Sequence, residues 1–262
     1  TVKIDNNRSK VTLSVSEYTE EETRSAQIII KENDGDMADT LILIQEAVSV
    51  NNNLPSGKEF NRILNSYLSS NPGITRIIFV ANSNQKSNAM LTDDIYFIKK
   101  SNTLEIHTNQ EEYVVGKDCK NMFDAQNNNI SNIEYIDLGN DFNTSSVKDM
   151  SYMFSSCSNL KYLNLGDKFI TKNVSSMQCL FLNCKKLEGL NLESFIFNNT
   201  DISNMFMNIG AEAPNKPIQI YVTEEGKKYI ESAGNSYIDN TYAKLVVNSG
   251  AGFEVPDGGI NE

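Results

Sequence analysis

From about residue 119 the chain repeats itself, and that repeat limits the possible folds more than any other feature. One copy reads Met150-Ser-Tyr-Met-Phe154-Ser-Ser-Cys157-Ser-Asn-Leu160-Lys-Tyr-Leu163-Asn-Leu165. The next reads Met177-Gln-Cys-Leu-Phe181-Leu-Asn-Cys184-Lys-Lys-Leu187-Glu-Gly-Leu190-Asn-Leu192. The apolar positions of the two copies share one register, as do Cys157 with Cys184 and Val147 with Val174. An earlier copy holds Met122-Phe123, Ile133, Ile136 and Leu138, and a later one Met205-Phe206. By subtraction, Phe123, Phe154, Phe181 and Phe206 lie 31, 27 and 25 residues apart. The longer first interval matches extra residues near Asn127–Ile130. A unit this short cannot bury its apolar ridge alone, so successive turns must stack into one continuous core.

A period in the twenties with Leu-x-x-Leu-x-Leu is similar to leucine-rich repeats, in which each turn gives a short strand and a return segment. The fuller pattern Val-x-x-Met-Ser-x-Met-Phe-x-x-Cys-x-x-Leu-x-x-Leu-x-Leu runs complete over Val147–Leu165. It recurs over Val174–Leu192 with Gln178 and Leu180 as departures. This pattern resembles the BspA-like leucine-rich repeat family of bacterial surface proteins, over roughly residues 73–210 with the degenerate turns included. The resemblance implies secretion or surface display and adhesion, and it brings no catalytic residues. The expected fold is mixed β with α. A leucine-rich-repeat-like, right-handed solenoid is expected over 49–262, its strands near 133–138, 160–165 and 187–192 parallel and in register.

The solenoid needs caps. Ser56 and Glu59 have capping-box spacing. Phe60, Ile63, Leu64, Tyr67 and Leu68 form one apolar helical face. This predicts an N-terminal capping helix over about 56–70, ended by Pro72-Gly73. Ile74–Val80 and Leu104–His107 read as strands. The C-terminal cap is expected over about 217–247: a strand at Pro217–Val222, a helix begun by Thr223 and stopped at Gly234, and an edge strand at Lys244–Val247. The Gly-rich tail from Asn248 reads as loose.

Residues 1–48 have a different period. Val11, Leu13 and Val15 alternate with polar residues, as do Ala26, Ile28 and Ile30, and Leu41–Ile44 follows. Asp34-Gly35 suits a hairpin turn, Glu20-Glu21-Glu22 reads as a solvated connection, and residues 49–55 read as a linker. The segments Val11–Ser16, Arg24–Ile30 and Asp39–Gln45 resemble about half of a BACON domain, common in Bacteroidetes. That implies a small, partial β-sandwich of immunoglobulin-like type ahead of the solenoid.

Composition closes several routes. The net charge is −11 and no basic cluster appears, so nucleic acid is not an expected partner. No apolar run is long enough to span a membrane. Cys119, Cys157, Cys179 and Cys184 show no CxxC spacing, and there is one histidine and no tryptophan. No cofactor or metal is expected, and none of the usual nucleotide, zinc-protease or paired-acid motifs stands out. Stacked Cys157 and Cys184 read as small core residues within reach of one another, bridged or free. Cys179 aligns with Tyr152 and reads as less buried. His107, next to Ile106, reads as a satisfied structural residue.

The expected function is non-enzymatic: an extracellular or outer-surface interaction protein, anchored by lipid through a segment ahead of Thr1. The partner would be an extracellular protein such as host matrix, or alternatively a glycan. If the strand leucines face inward, Tyr135, Tyr162 and Gly189 fall in one outward column, and Asp137, Asn164 and Asn191 in another. Tyr135, Tyr162, Asp137, Asn164 and Asn191 are therefore the candidate ligand-binding residues.

Overall fold

The computed structural model describes residues 2–4, 11–13, 24–31, 37–45, 53–92, 94–234, 238 and 241–247. The chain divides into two units, Thr1–Asn51 and Asn52–Glu262. In the first unit β1 (Val2–Ile4) pairs antiparallel with β2 (Val11–Leu13), and β3 (Arg24–Lys31) with β4 (Met37–Gln45). The second pair carries a register shift between Ile30 and Lys31. These pairs are two two-stranded sheets. β1 had no counterpart in the sequence reading. The Asp34-Gly35 turn and the Glu20–Glu22 run lie outside the described residues, as does the tail from Asn248.

The second unit opens with β5 (Asn53–Leu54), inside the stretch expected to be a linker, and α1 (Gly57–Ser70) follows. Phe60, Leu64 and Leu68 of α1 are buried, as the apolar face requires. The capping box does not form. Ser56 occupies the N-cap position without a side-chain capping bond, and Glu59 pairs with Arg62 at 2.7 Å instead. The first helical N–H, of Gly57, donates to Asp118 O at 3.1 Å.

Next come β6 (Arg76–Val80), β7 (Met90–Thr92), β8 (Ile95–Lys100), β9 (Thr103–Thr108), β10 (Tyr113–Val115), β11 (Tyr135–Asp137), β12 (Phe142–Asn143) and β13 (Tyr162–Asn164). β14 (Gly189–Asn191), β15 (Ile218–Val222), α2 (Glu224–Ser232) and β16 (Ala243–Val247) complete the chain. The largest sheet runs β13-β11-β6-β9-β8-β7. β13, β11, β6 and β9 are parallel, and β8 and β7 are added antiparallel. Tyr135 faces Tyr162 in register, as the repeat demands.

The third repeat strand corrects the expectation of one continuous sheet. β14 belongs to a second parallel sheet with β15 and β16. Its link to β13 is the Glu188 N–H donating to Lys161 O at 3.1 Å. Gly189 replaces the tyrosine of the earlier copies, so the cross-strand side-chain pair is lost at this step.

A second set of bonds joins the turns on the return side. Cys119, Asn121, Phe123 and Ala125 donate to the carbonyls of Asp149, Ser151, Met153 and Ser155. Met150, Tyr152, Phe154 and Ser156 donate onward to Ser176, Gln178, Leu180 and Leu182. Met177, Cys179, Phe181 and Asn183 repeat the pattern to Asp201, Ser203, Met205 and Met207. Between the two ladders lies the core. Phe123, Phe154, Phe181 and Phe206 stack at 5.4, 5.8 and 6.3 Å between ring centres. Phe169 and Phe195 form a parallel stack at 5.7 Å. The result is a β-solenoid.

Both ends are closed. At the first turn the carbonyls have no preceding turn to serve. The Asn61 amide, reaching from α1, donates to Asn121 O at 2.9 Å and Asp124 O at 2.8 Å. At the far end Thr223 caps α2 by accepting from the Gly226 N–H at 3.0 Å, and the Tyr229 hydroxyl donates to Thr200 O at 2.8 Å. Gly234 has the left-handed φ of +66° expected of a helix stop.

Candidate functional site

The turn-to-turn ladder depends on an uncommon backbone state. The residue two before each motif phenylalanine has positive φ: Asn121, Tyr152, Cys179 and Asn204, between 55° and 61°. The residue two after it does the same at Ser156, Asn183 and Asn208, between 59° and 60°. Asn pays the least among non-glycine residues for this conformation, which explains its recurrence. The first turn shifts the position to Asn127, at φ 60°, consistent with its extra residues.

The second of these columns lines a shallow groove of about 470 Å³. Ala125, Ser156, Asn183 and Asn208 form its floor across four successive turns. Gln126, Asn127, Ser131, Ser158 and Lys185 add polar side chains. The Asn208 amide donates to the Asn183 side-chain carbonyl at 2.8 Å, which fixes both amides. Lys185 pairs with Glu212 at 3.2 Å. From Ser156 through Asn183 to Asn208 the floor therefore offers a hydroxyl and two amides spaced by about 4.8 Å per turn, with the cation Lys185 at one side. It can hydrogen-bond an extended ligand lying along the solenoid axis.

The sheet face expected to bind ligand is a different kind of surface. Tyr135 is only 7% exposed. Its ring lies under the Arg76 guanidinium, 4.0 Å from the centroid. β6 pairs Arg76 directly with Tyr135, a non-local neighbour that strand alternation cannot reveal. Tyr162 is half-buried and donates to Glu188 at 3.1 Å. Asp137, Asn164 and Asn191 each accept, at 2.8, 3.2 and 2.9 Å, from the backbone N–H two residues on, at Gly139, Gly166 and Glu193. These are Asx turns that end each strand. Asn164 also donates to Asp137 at 2.9 Å. Lys161 meets Glu134 at 2.8 Å beside them. The structure thus places Tyr135, Tyr162, Asp137 and Asn164 on neighbouring strands, with Asn191 on β14 of the second sheet, and their polar groups are engaged with neighbouring side chains and with the backbone.

The cysteines are all free and buried, including Cys179, which the alignment with Tyr152 suggested was less so. Cys179 is 4% exposed, whereas the larger Tyr152 at the equivalent position is half-buried. Cys157 and Cys184 each donate their thiol to the carbonyl of the preceding turn's phenylalanine, Phe123 and Phe154, at 3.1 Å. Burial pushes both thiols well above their ordinary pKa. His107 is 2% exposed and bonded on both nitrogens, to Ser83 and Glu105. Among the described residues no group of three or more His, Cys, Asp or Glu is placed to hold a metal ion. None of their helices is long and apolar enough to cross a membrane.

The groove was missed because its floor holds three residue types, Ala125, Ser156 and the asparagines 183 and 208, with positive φ at the last three positions. The recurrent Asn at positions 121, 183, 204 and 208 was the available signal.

Residues 117–236, from the first solenoid turn through α2, match a family model described as a Mycoplasma protein of unknown function, DUF285. No curated protein and no solved structure matches the chain. Over the matched stretch the chain is similar to that family, and with its β-solenoid it is compatible with a BspA-like repeat protein.

Proposed function

We propose that the solenoid is a binding module for an extended segment of an extracellular protein, held in the Ser156–Asn183–Asn208 groove. One observation carries this: a floor running across four turns, polar at Ser156, Asn183 and Asn208 on three of them. Side-chain amides and hydroxyls both donate and accept, as peptide groups do, so a backbone lying along the floor finds partners at Ser156, Asn183 and Asn208. The lining contains no aromatic ring, which favours a peptide over the stacked sugar of a glycan site. The finer reading goes with this one: a secreted or surface-displayed adhesion protein of BspA-like type, whose solenoid binds without doing chemistry, with the first unit as a BACON-like β domain. The repeat motif at Val147–Leu165 and Val174–Leu192 supports it.

A glycan ligand is the second reading, and the half-buried Tyr162 ring favours it. The test runs matrix-protein binding beside a glycan array. Asn183→Ala with Lys185→Ala should weaken protein binding by about tenfold or more, the range of a lost hot spot. Tyr162→Ala should leave it unchanged. Binding confined to the glycan array, or lost in Tyr162→Ala and kept in the groove variant, would move the site to the sheet face.

A further inference from the structure

The loop between β6 and β7 folds over the outer end of β9 and brings Ser83 to the chain's single histidine. His107 Nδ1 lies 2.6 Å from Ser83 Oγ, and His107 Nε2 lies 2.6 Å from Glu105 Oε2. Burial raises the Glu105 pKa, but hydrogen bonds from Lys100 and His107 outweigh it and hold the carboxyl below its usual range. A carboxylate only accepts, so Nε2 donates to Glu105, and in the neutral imidazole that leaves the lone pair on Nδ1, facing Ser83. The Ser83 hydroxyl then donates to Nδ1, while Oγ accepts from the Gln85 N–H at 3.2 Å.

We propose that Ser83 is an activated nucleophile, with His107 as its general base and Glu105 as a positioning residue, and that it cleaves small carboxylic esters. The arrangement follows nucleophile–base–orienter logic and is recognised by geometry rather than by motif. Two backbone bonds hold the loop: Asn82 N–H to Gln110 O and Ser83 N–H to Thr108 O, both 2.8 Å. Asn82 has φ of 53°, a bend just before the serine. Ser83 keeps partial exposure between the exposed Asn82 and Asn84, whereas His107 is buried. The nucleophile is therefore reachable and its base is shielded.

In the first step Oγ bonds to the ester carbonyl carbon and its proton passes to Nδ1. The carbon–alkoxide bond then breaks, and the proton leaves with the alcohol. Water repeats the sequence on the acyl-serine: its oxygen bonds to the carbonyl carbon, its proton goes to Nδ1, and the acid departs as Oγ regains the hydrogen.

The site lies outside the repeat turns and does not depend on the groove reading. The probe is a fluorophosphonate, with the adduct mapped by mass spectrometry, and p-nitrophenyl acetate reports turnover. Native protein should be labelled at Ser83, and urea-unfolded protein should not. Labelling should vanish in Ser83→Ala and slow about a hundredfold or more in His107→Gln, the usual contribution of a general base. Glu105→Gln should slow it too, and Glu105→Asp should restore part of the rate, which a merely structural contact would not do. Absence of a Ser83 adduct on the folded protein overturns the proposal. So does a labelling rate that is equal in the native and unfolded chains, or unchanged in a folded His107→Gln variant.

Discussion

Phe154 shows how one side chain serves two boundaries. It is fully buried and stacks on Phe123 at 5.4 Å and on Phe181 at 5.8 Å. Truncation to Ala should cost about 3–5 kcal/mol, the range for a buried aromatic that leaves a cavity. Urea denaturation would check this, and a loss under about 1 kcal/mol is incompatible with the stack. Gly166 is constrained by backbone instead of core. It has φ of +72°, and a Cβ there would meet the Gly139 carbonyl oxygen at 1.8 Å. Gly166→Ala should therefore destabilise by more than the ~1–3 kcal/mol of left-handed strain alone, although it adds one methyl group. The thiols give a third check. Only the thiolate reacts, and burial raises the thiol pKa of Cys119, Cys157 and Cys184. An aromatic disulfide reagent at pH 8 should leave the buried thiols of the native protein untouched and titrate four per chain in denaturant. Fast native reaction at any of these three would contradict the packing.

At the scale of elements, α1 acts as a lid on an open hydrogen-bonding edge. Gly57 and Asn61 supply the donors that an earlier turn would have supplied. A Cβ on Gly57 would lie 2.4 Å from Lys120 O, so the helix can approach only because that residue is glycine. Asn61→Leu keeps the helix but strands two or more carbonyls. It should cost about 1–3 kcal/mol, read as a lowered Tm. This lid also shows what was legible in the sequence. The helix itself was, because its apolar spacing is local, and so was the phenylalanine register, because the repeat states it several times. The route by which Gly57 and Asn61 cap the stack was not, since their partners lie about sixty residues away. Tyr135 failed for the same reason. Alternation placed it outward, and Arg76 from a distant strand covers it. Ser83 and His107, 24 residues apart and joined only through the fold, carried no local signature.

At the scale of the whole molecule, every boundary between turns is crossed by the same three devices. Backbone bonds join equivalent residues, phenylalanines stack, and buried hydroxyls or thiols stitch one turn to the next. Thr144 donates to Ile170 O at 2.9 Å and accepts from Ile170 N at 2.7 Å, and Thr171 makes the same exchange with Ile196. Stability in such an array is a sum of turn and nearest-neighbour contributions. Removing Phe154 weakens two neighbouring boundaries at once, whereas Asn61→Leu weakens the first edge alone. Hydrogen exchange can separate the two cases. In Phe154→Ala the amides of Phe123, bonded to Met153 O, and of Phe154, bonded to Leu180 O, should both lose protection. The amides of β15 and β16, beyond the last stacked turn, should change least. In Asn61→Leu the loss should begin at residues 119–125 and decline along the turns toward Phe206. If Phe154→Ala raised exchange in its own turn alone, the turns would be independent, and the solenoid would be a row of separate units instead of one shared core.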